Sequence, residues 1–286
     1  MAQTVGSSSG LSGGSSRIQN WVLGVLICLV VANSLFPYIW MLISSVKPDN
    51  IMYSTPTVWV FSPITDHYWD AFTEKGFGAN FLNSIIVSVS TTLLVIVIGT
   101  PAAYSFARFR IWRSDDIFMY ILSTRMAPAI SLAIPFYLMF ANLRLLNTYT
   151  VIILAHLTFN LSFYIWVLRG FFKDVPIELE ESSMIDGYTR WQAFTRVTLP
   201  LARSGIISAA IFCFIFSWNE FLYALILGGG DVKTLPVVIP SLINQRGVEW
   251  GVIAAIGSVV ILPILVLIFC VQKHIVRGLT MGAVKG

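Results

Sequence analysis

The sequence predicts an all-α integral membrane protein with six transmembrane helices. Three observations carry that reading. Hydrophobic residues make up 56% of the 286-residue chain and charged residues only 11%, with a mean hydropathy of +0.79. The apolar residues gather into six runs, roughly 21–46, 81–106, 117–143, 149–168, 204–227 and 252–272. Each is long enough to cross a hydrocarbon core of ~30 Å as a helix. Short alternating strands, which a membrane barrel needs, are missing. A water-soluble core would leave the six runs unexplained.

Residues 1–16 are Gly/Ser-rich and uncharged and are expected to be a disordered tail, leaving 17–286 as one membrane domain. Arg17 precedes the first run, but that run is too long for a signal-peptide core and no A-x-A site follows it. It reads as an uncleaved first span.

Charge orients the spans. With the N-terminus inside, twelve Lys and Arg fall in cytoplasmic segments: Arg17; Arg108, Arg110 and Arg113; Arg169, Lys173, Arg190, Arg196 and Arg203; and Lys273, Arg277 and Lys285. Five fall outside (Lys47, Lys75, Arg144, Lys233 and Arg246), and Arg125 lies within the third run. Short loops rich in Lys and Arg stay in the cytoplasm, so both termini are expected there. The outer segment 47–80 carries Trp59, Tyr68 and Trp69, residue types that favour the membrane–water interface. A second outer connection covers 228–250. The net charge of +4 is spread over loops and forms no nucleic-acid patch.

The most informative segment is 174–200. Pro176 suits a first helical turn, where its missing N–H costs nothing, and Asp174 suits an N-cap or early turn. Glu178, Glu180 and Glu181 favour the positive end of a helix dipole. Gly187 suits the left-handed position that stops a helix. The spacing therefore predicts a helix over 176–186. Thr189 and Gln192 fit a capping box opening a second short helix, on which Trp191, Phe194 and Val197 form one apolar face before Pro200 disrupts it. The product is a helix–Gly–helix hairpin. Ile177, Glu181 and Met184 share one face, and the small Ser182 and Ser183 permit close approach by a partner. The bland alternative is an amphipathic interfacial hairpin.

The order Glu181-Ser-Ser-Met-Ile-Asp186-Gly187, then Phe194 and Leu199-Pro200, resembles the docking loop of ABC-transporter permeases, usually E-A-A-x-x-x-D-G with a later L-P. Other segments agree: Phe36-Pro-Tyr-Ile-Trp40 through Lys47-Pro48, Phe81-Leu-Asn83-Ser84, Ala103-Tyr104 through Arg108, Trp218-Asn219-Glu220, and the tail 278–286. The resemblance covers 20–286, and within the family it is to the smaller permease of maltose-type carbohydrate importers. Ser182 and Ser183 replace the usual alanines, Tyr188 stands where Ala is common, and Ser204 where Pro is common. The resemblance implies a type I importer fold. It also implies a second permease, making a heterodimer, two ATPase subunits that bind ATP and Mg, and an extracytoplasmic solute-binding protein. Glu181, Ser182, Ser183, Met184, Asp186, Gly187, Phe194 and Pro200 would dock the ATPase, and the tail would add to that contact.

The chain has no G-x-x-x-x-G-K-[ST] phosphate loop, so ATP hydrolysis would belong to partners. No catalytic constellation stands out, and no metal is expected: Cys28, Cys213 and Cys270 lie in separate apolar runs. Polar residues within the runs are costly and face a pathway or another helix. Asn83, Arg125, Asn160, Trp218, Asn219 and Glu220 are the pathway candidates, with His156 nearby in sequence to Asn160. Pro101, Pro128, Pro135 and Pro263 are expected to kink their helices. The alternatives are an ABC permease for a non-sugar solute and, from another class, an ion-coupled secondary carrier. The carrier would need no docking loop.

Overall fold

The computed structural model describes residues 13–230, 232–244, 247–270 and 272. The tail 278–286 and residues 1–12 lie outside the described residues. The chain divides into two packing units: one runs to Tyr68 and takes in Trp250–Ser258, and the other comprises Trp69–Glu249 and the chain from Val259.

In the first unit α1 (Gly13–Ser45) is a single helix that runs through Pro37. Its apolar side chains are largely exposed, as suits a helix whose solvent is lipid. A short 3-10 turn (Asp49–Ile51) and the start of α2 (Asp66–Thr73) follow. Buried His67 fixes the connection through Nε2 to the Lys47 carbonyl, 3.0 Å away. The Tyr68 hydroxyl lies 2.8 Å from Ser45 Oγ and 2.9 Å from Ser258 Oγ.

In the second unit α3 (Phe77–Arg108) packs between α6 (Tyr149–Asp174) and α10 (Arg203–Trp218). Gly99 makes this approach possible: a Cβ there would stand 2.6 Å from the Tyr164 ring. One core, including Val95, Tyr104, Tyr164, Leu168, Phe172 and Phe194, runs along α3 and α6. A second gathers Val87, Phe140, Ile152, Tyr223 and Leu227.

Two expected spans are bent. The third consists of α4 (Ser114–Thr124) and α5 (Ala129–Asn142), set at 88° across a break that ends in Pro128. Pro disfavours a helical residue before it, which accounts for the break. By contrast Pro101 lies inside α3 and Pro135 inside α5, neither ending its helix. The fifth run is split into α10 and a later helix, Leu222–Leu227, with Asn219, Glu220 and Phe221 between them. Among the described residues four helices are long and apolar enough to cross a membrane: Gln19–Ser45, Phe77–Arg108, Tyr149–Asp174 and Trp250–Cys270. The count reaches six if each of two bent pairs is one span, Ser114–Thr124 with Ala129–Asn142 and Arg190–Leu201 with Arg203–Trp218. The connection after residue 228 is not purely helical: Ile243–Asn244 and Gly247–Val248 pair as a two-residue antiparallel ladder.

Candidate functional site: the 174–200 hairpin

The hairpin forms where the sequence predicts it, with differences in detail. Its first limb is α7 (Ile177–Ile185), with Pro176 at the N-cap. Asp174 lies two residues before that cap. Helix α6 continues through it, about a turn and a half beyond the apolar run, so Asp174 closes α6 instead. Gly187 has φ +95°, and the chain closes α7 with two bonds: the Gly187 N–H donates to the Met184 carbonyl (3.2 Å) and the Tyr188 N–H to the Ser183 carbonyl (3.0 Å). This pair of bonds is the Schellman stop.

The second limb opens with α8 (Arg190–Ala193). Its capping box is complete: the Thr189 N–H donates to Gln192 Oε1 (2.8 Å), and the Gln192 N–H donates to Thr189 Oγ1 (3.3 Å). A π-helical turn, Phe194–Thr198, leads into α9 (Leu199–Leu201). The expected apolar face of Trp191, Phe194 and Val197 forms only in part: the Trp191 and Phe194 rings meet at 5.3 Å, but Val197 is only half-buried. Ala193, Phe194 and Thr198 turn inward while Trp191 is exposed, and the wider π turn sets the phase of Val197 and Thr198 beyond it. Nor does Pro200 break the limb. The helix runs to Leu201 and turns at Ala202, where it meets α10 at 73°. The π turn has already loosened the ladder that Pro200 would otherwise interrupt.

Two faces result. Glu181, Ser182, Asp186, Gly187 and Pro200 are exposed, with Met184 half-buried, on a face that also carries Ile177 and Ile185. Ser183 and Phe194 point inward and hold the hairpin together. Glu180, expected only to favour the helix dipole, has a different place. It is buried and meets the end of α3: Arg108 Nε donates to its Oε1 (2.6 Å), and the Tyr104 hydroxyl donates to its Oε2 (2.8 Å). Arg108 Nη2 also donates to the Val175 carbonyl (2.7 Å). The Tyr104 ring packs 4.4 Å from that of Phe194, so one residue touches both limbs. The available signal was the absence of apolar residues on the inward side of α7. A helix without an apolar face must be held by polar bonds.

The pathway candidates do not converge. Asn83 is buried, donating to the Lys233 carbonyl (3.0 Å) and accepting from the Tyr149 hydroxyl (2.6 Å). Asn160 is buried and donates to the His156 carbonyl and Ser217 Oγ, both at 3.0 Å. Trp218 is 1% exposed, its ring set against Phe81 and Phe214. Its indole face is therefore closed within this chain. Glu220 has partners: His156 Nε2 lies 3.2 Å from its Oε2, and its carboxylate accepts the N–H groups of Tyr223 (2.9 Å) and Ala224 (3.1 Å). It caps the helix after the break. Arg125 stays exposed between the rings of Phe163 and Phe216, 4.7 and 4.8 Å away. Asn219 is also exposed and donates to the Ile215 carbonyl (2.9 Å).

Long apolar helices and a charged, doubly capped hairpin define a polytopic membrane protein. The comparisons agree. The family model for the inner membrane component of binding-protein-dependent transport systems matches residues 95–281, and the chain belongs to that family. It is 36% identical over 277 residues to the trehalose transport system permease protein SugB of Mycobacterium tuberculosis, covering 96% of this chain and 100% of that one. It is 34% identical over 285 residues to the sulfoquinovosyl glycerol transport system permease protein SmoH of Agrobacterium fabrum, covering 99% of each. A chain of the crystal structure of a bacterial ABC transporter involved in the import of the acidic polysaccharide alginate has the same fold. The TM-score is 0.75 at 23% identity, over 93% of this chain and 99% of that one. The protein is thus an inner-membrane permease subunit with the type I importer fold.

Proposed function

We propose that this chain is one of two different permeases forming the pathway of an ATP-driven carbohydrate importer, and that the 174–200 hairpin is its seat on the ATPase. The hairpin's geometry carries the docking reading. Two caps fix its shape without help from a partner, and an exposed edge of Glu181, Ser182, Asp186 and Gly187 is left free of the core. Pre-shaped surfaces bind with less ordering cost. ATP and Mg would be held by the ATPase, and an extracytoplasmic binding protein would deliver the solute.

The carbohydrate class is supported by the relatives named for trehalose, diacetylchitobiose and sulfoquinovosyl glycerol transport. In this reading α4 with α5 is the third span and α10 is the fifth, giving six with the four long helices, and both termini and the hairpin lie in the cytoplasm as the Lys/Arg bias requires. Arg125 and Asn219 are the candidates we keep on the pathway, because their side chains remain exposed. Asn83, Asn160, Trp218 and Glu220 support the helices around it.

The test is to purify the chain with its ATPase and repeat the purification with Gly187→Pro. Proline cannot adopt the left-handed φ and removes the N–H bonded to Met184. The variant is expected in the membrane without the ATPase. Full recovery of the ATPase with the variant would contradict the assignment.

A further inference from the structure

Helix α3 is fastened at both ends. At one end Tyr104 and Arg108 hold Glu180 of the hairpin. Towards the other, Asn83 Nδ2 donates to the Lys233 carbonyl (3.0 Å), and Ser84 Oγ accepts the Leu235 N–H (2.8 Å). Between these joints the helix is continuous, Pro101 included. From Asn83 to Arg108 it spans about 38 Å at 1.5 Å per residue, more than a hydrocarbon core of ~30 Å.

The inner joint is suited to transmit movement. The Arg108 and Glu180 side chains are each only 6% exposed, so water competes little for their hydrogen bonds. α7 buries only Glu180 and Ser183, and the Ser183 hydroxyl donates back to the Glu180 carbonyl (2.8 Å). The attachment of α7 to α3 is therefore polar and directional. Charge-assisted bonds fix orientation, whereas apolar contact alone is non-directional.

We propose that α3 is a strut carrying movement of the hairpin to the 228–238 connection at its far end, with Arg108, Glu180 and Tyr104 as positioning residues at the inner joint. The proposal rests on the docking reading above.

The probe is a cysteine replacing exposed Ala79 at the outer start of α3. It is labelled with a membrane-impermeant charged maleimide in the full permease–ATPase complex, with and without Mg·ATP and vanadate. With the joint intact, nucleotide is expected to change the labelling rate. Glu180→Gln leaves the buried Arg108 without a counter-charge and is expected to remove most of that change, with ATPase still co-purifying. The double variant R108M/E180L removes both charges, so no charge is left buried alone. It is expected to assemble and to show the same loss. A full response in either variant, or no response with the joint intact, overturns the strut while leaving docking untouched. Failure of both variants to assemble makes the pair a folding element and also overturns it. Failure of the ATPase to co-purify with the unaltered chain is a different result and defeats the docking reading itself.

Discussion

Arg108 and Glu180, 72 residues apart, form a buried ion pair at 2.6 Å that joins the end of α3 to the first limb of the hairpin. The pair has no counterpart in local sequence rules, yet it decides which way α7 faces. With Glu180 turned inward, Glu181 and Ser182 are presented outward.

Removing one partner of this pair is expected to cost more than removing both. Arg108→Leu leaves a buried carboxylate unpaired, at about 3–5 kcal/mol. R108M/E180L leaves no buried charge but leaves the Tyr104 hydroxyl and the Val175 carbonyl without these partners, so it is expected to fall between R108L and the unaltered chain. Thermal unfolding of the detergent-solubilised protein, ranked across the three chains, checks the order. An R108L chain as stable as the double variant would count against a buried ionic joint.

Gly187→Ala places a Cβ at φ +95°. Such backbone costs an L-residue about 1–2 kcal/mol. The hairpin is expected to loosen, reducing ATPase recovery without loss of membrane insertion. Binding of the ATPase to the solubilised variant, titrated against the unaltered chain, gives the measure. Equal affinity would mean that the turn does not shape the docking edge.

Thr189→Ala removes one half of the capping box and is expected to cost about 1 kcal/mol. It should therefore weaken ATPase binding less than Gly187→Pro. A stronger effect from T189A in the same titration would show that the second limb, not the Gly187 stop, governs docking.

Glu220→Ala removes two bonds to backbone N–H groups and the contact with His156. About 1–3 kcal/mol of stability is expected to go with them. Glu220→Gln keeps an acceptor for the cap and is expected to lose less. Unfolding and uptake measured side by side separate the roles. A transport loss in E220Q with unchanged stability would return Glu220 to the pathway.

The parts of this molecule that were legible in the sequence are those set by neighbours three or four residues away. Gly187 and the Thr189–Gln192 box act within one turn and stand where the sequence places them, and Pro176, expected in the first turn, is the N-cap just before it. What escaped depends on distant partners or on helix phase. Glu180 looked like a dipole-stabilising surface residue because Tyr104 and Arg108 lie more than 70 positions upstream. The π turn at 194–198 shifts Val197 and Thr198 from the phase a period of 3.6 predicts, so Thr198 is buried and Val197 only half so. Pro128 announced a kink, but the 88° angle comes from the whole break. Trp218 reads as a stacking platform until the rings of Phe81 and Phe214 are placed against it.

The central claim is that the exposed edge of the hairpin is covered by the ATPase. Adjacent serines test it, because Ser182 is exposed while Ser183 is buried. Each is replaced in turn by cysteine and labelled with a water-soluble maleimide, before and after the ATPase subunits are added to the permease pair. Ser182→Cys is expected to react readily alone and to be protected in the complex, while Ser183→Cys reacts slowly in both. Undiminished labelling of Ser182→Cys in a complex that still transports would contradict the account.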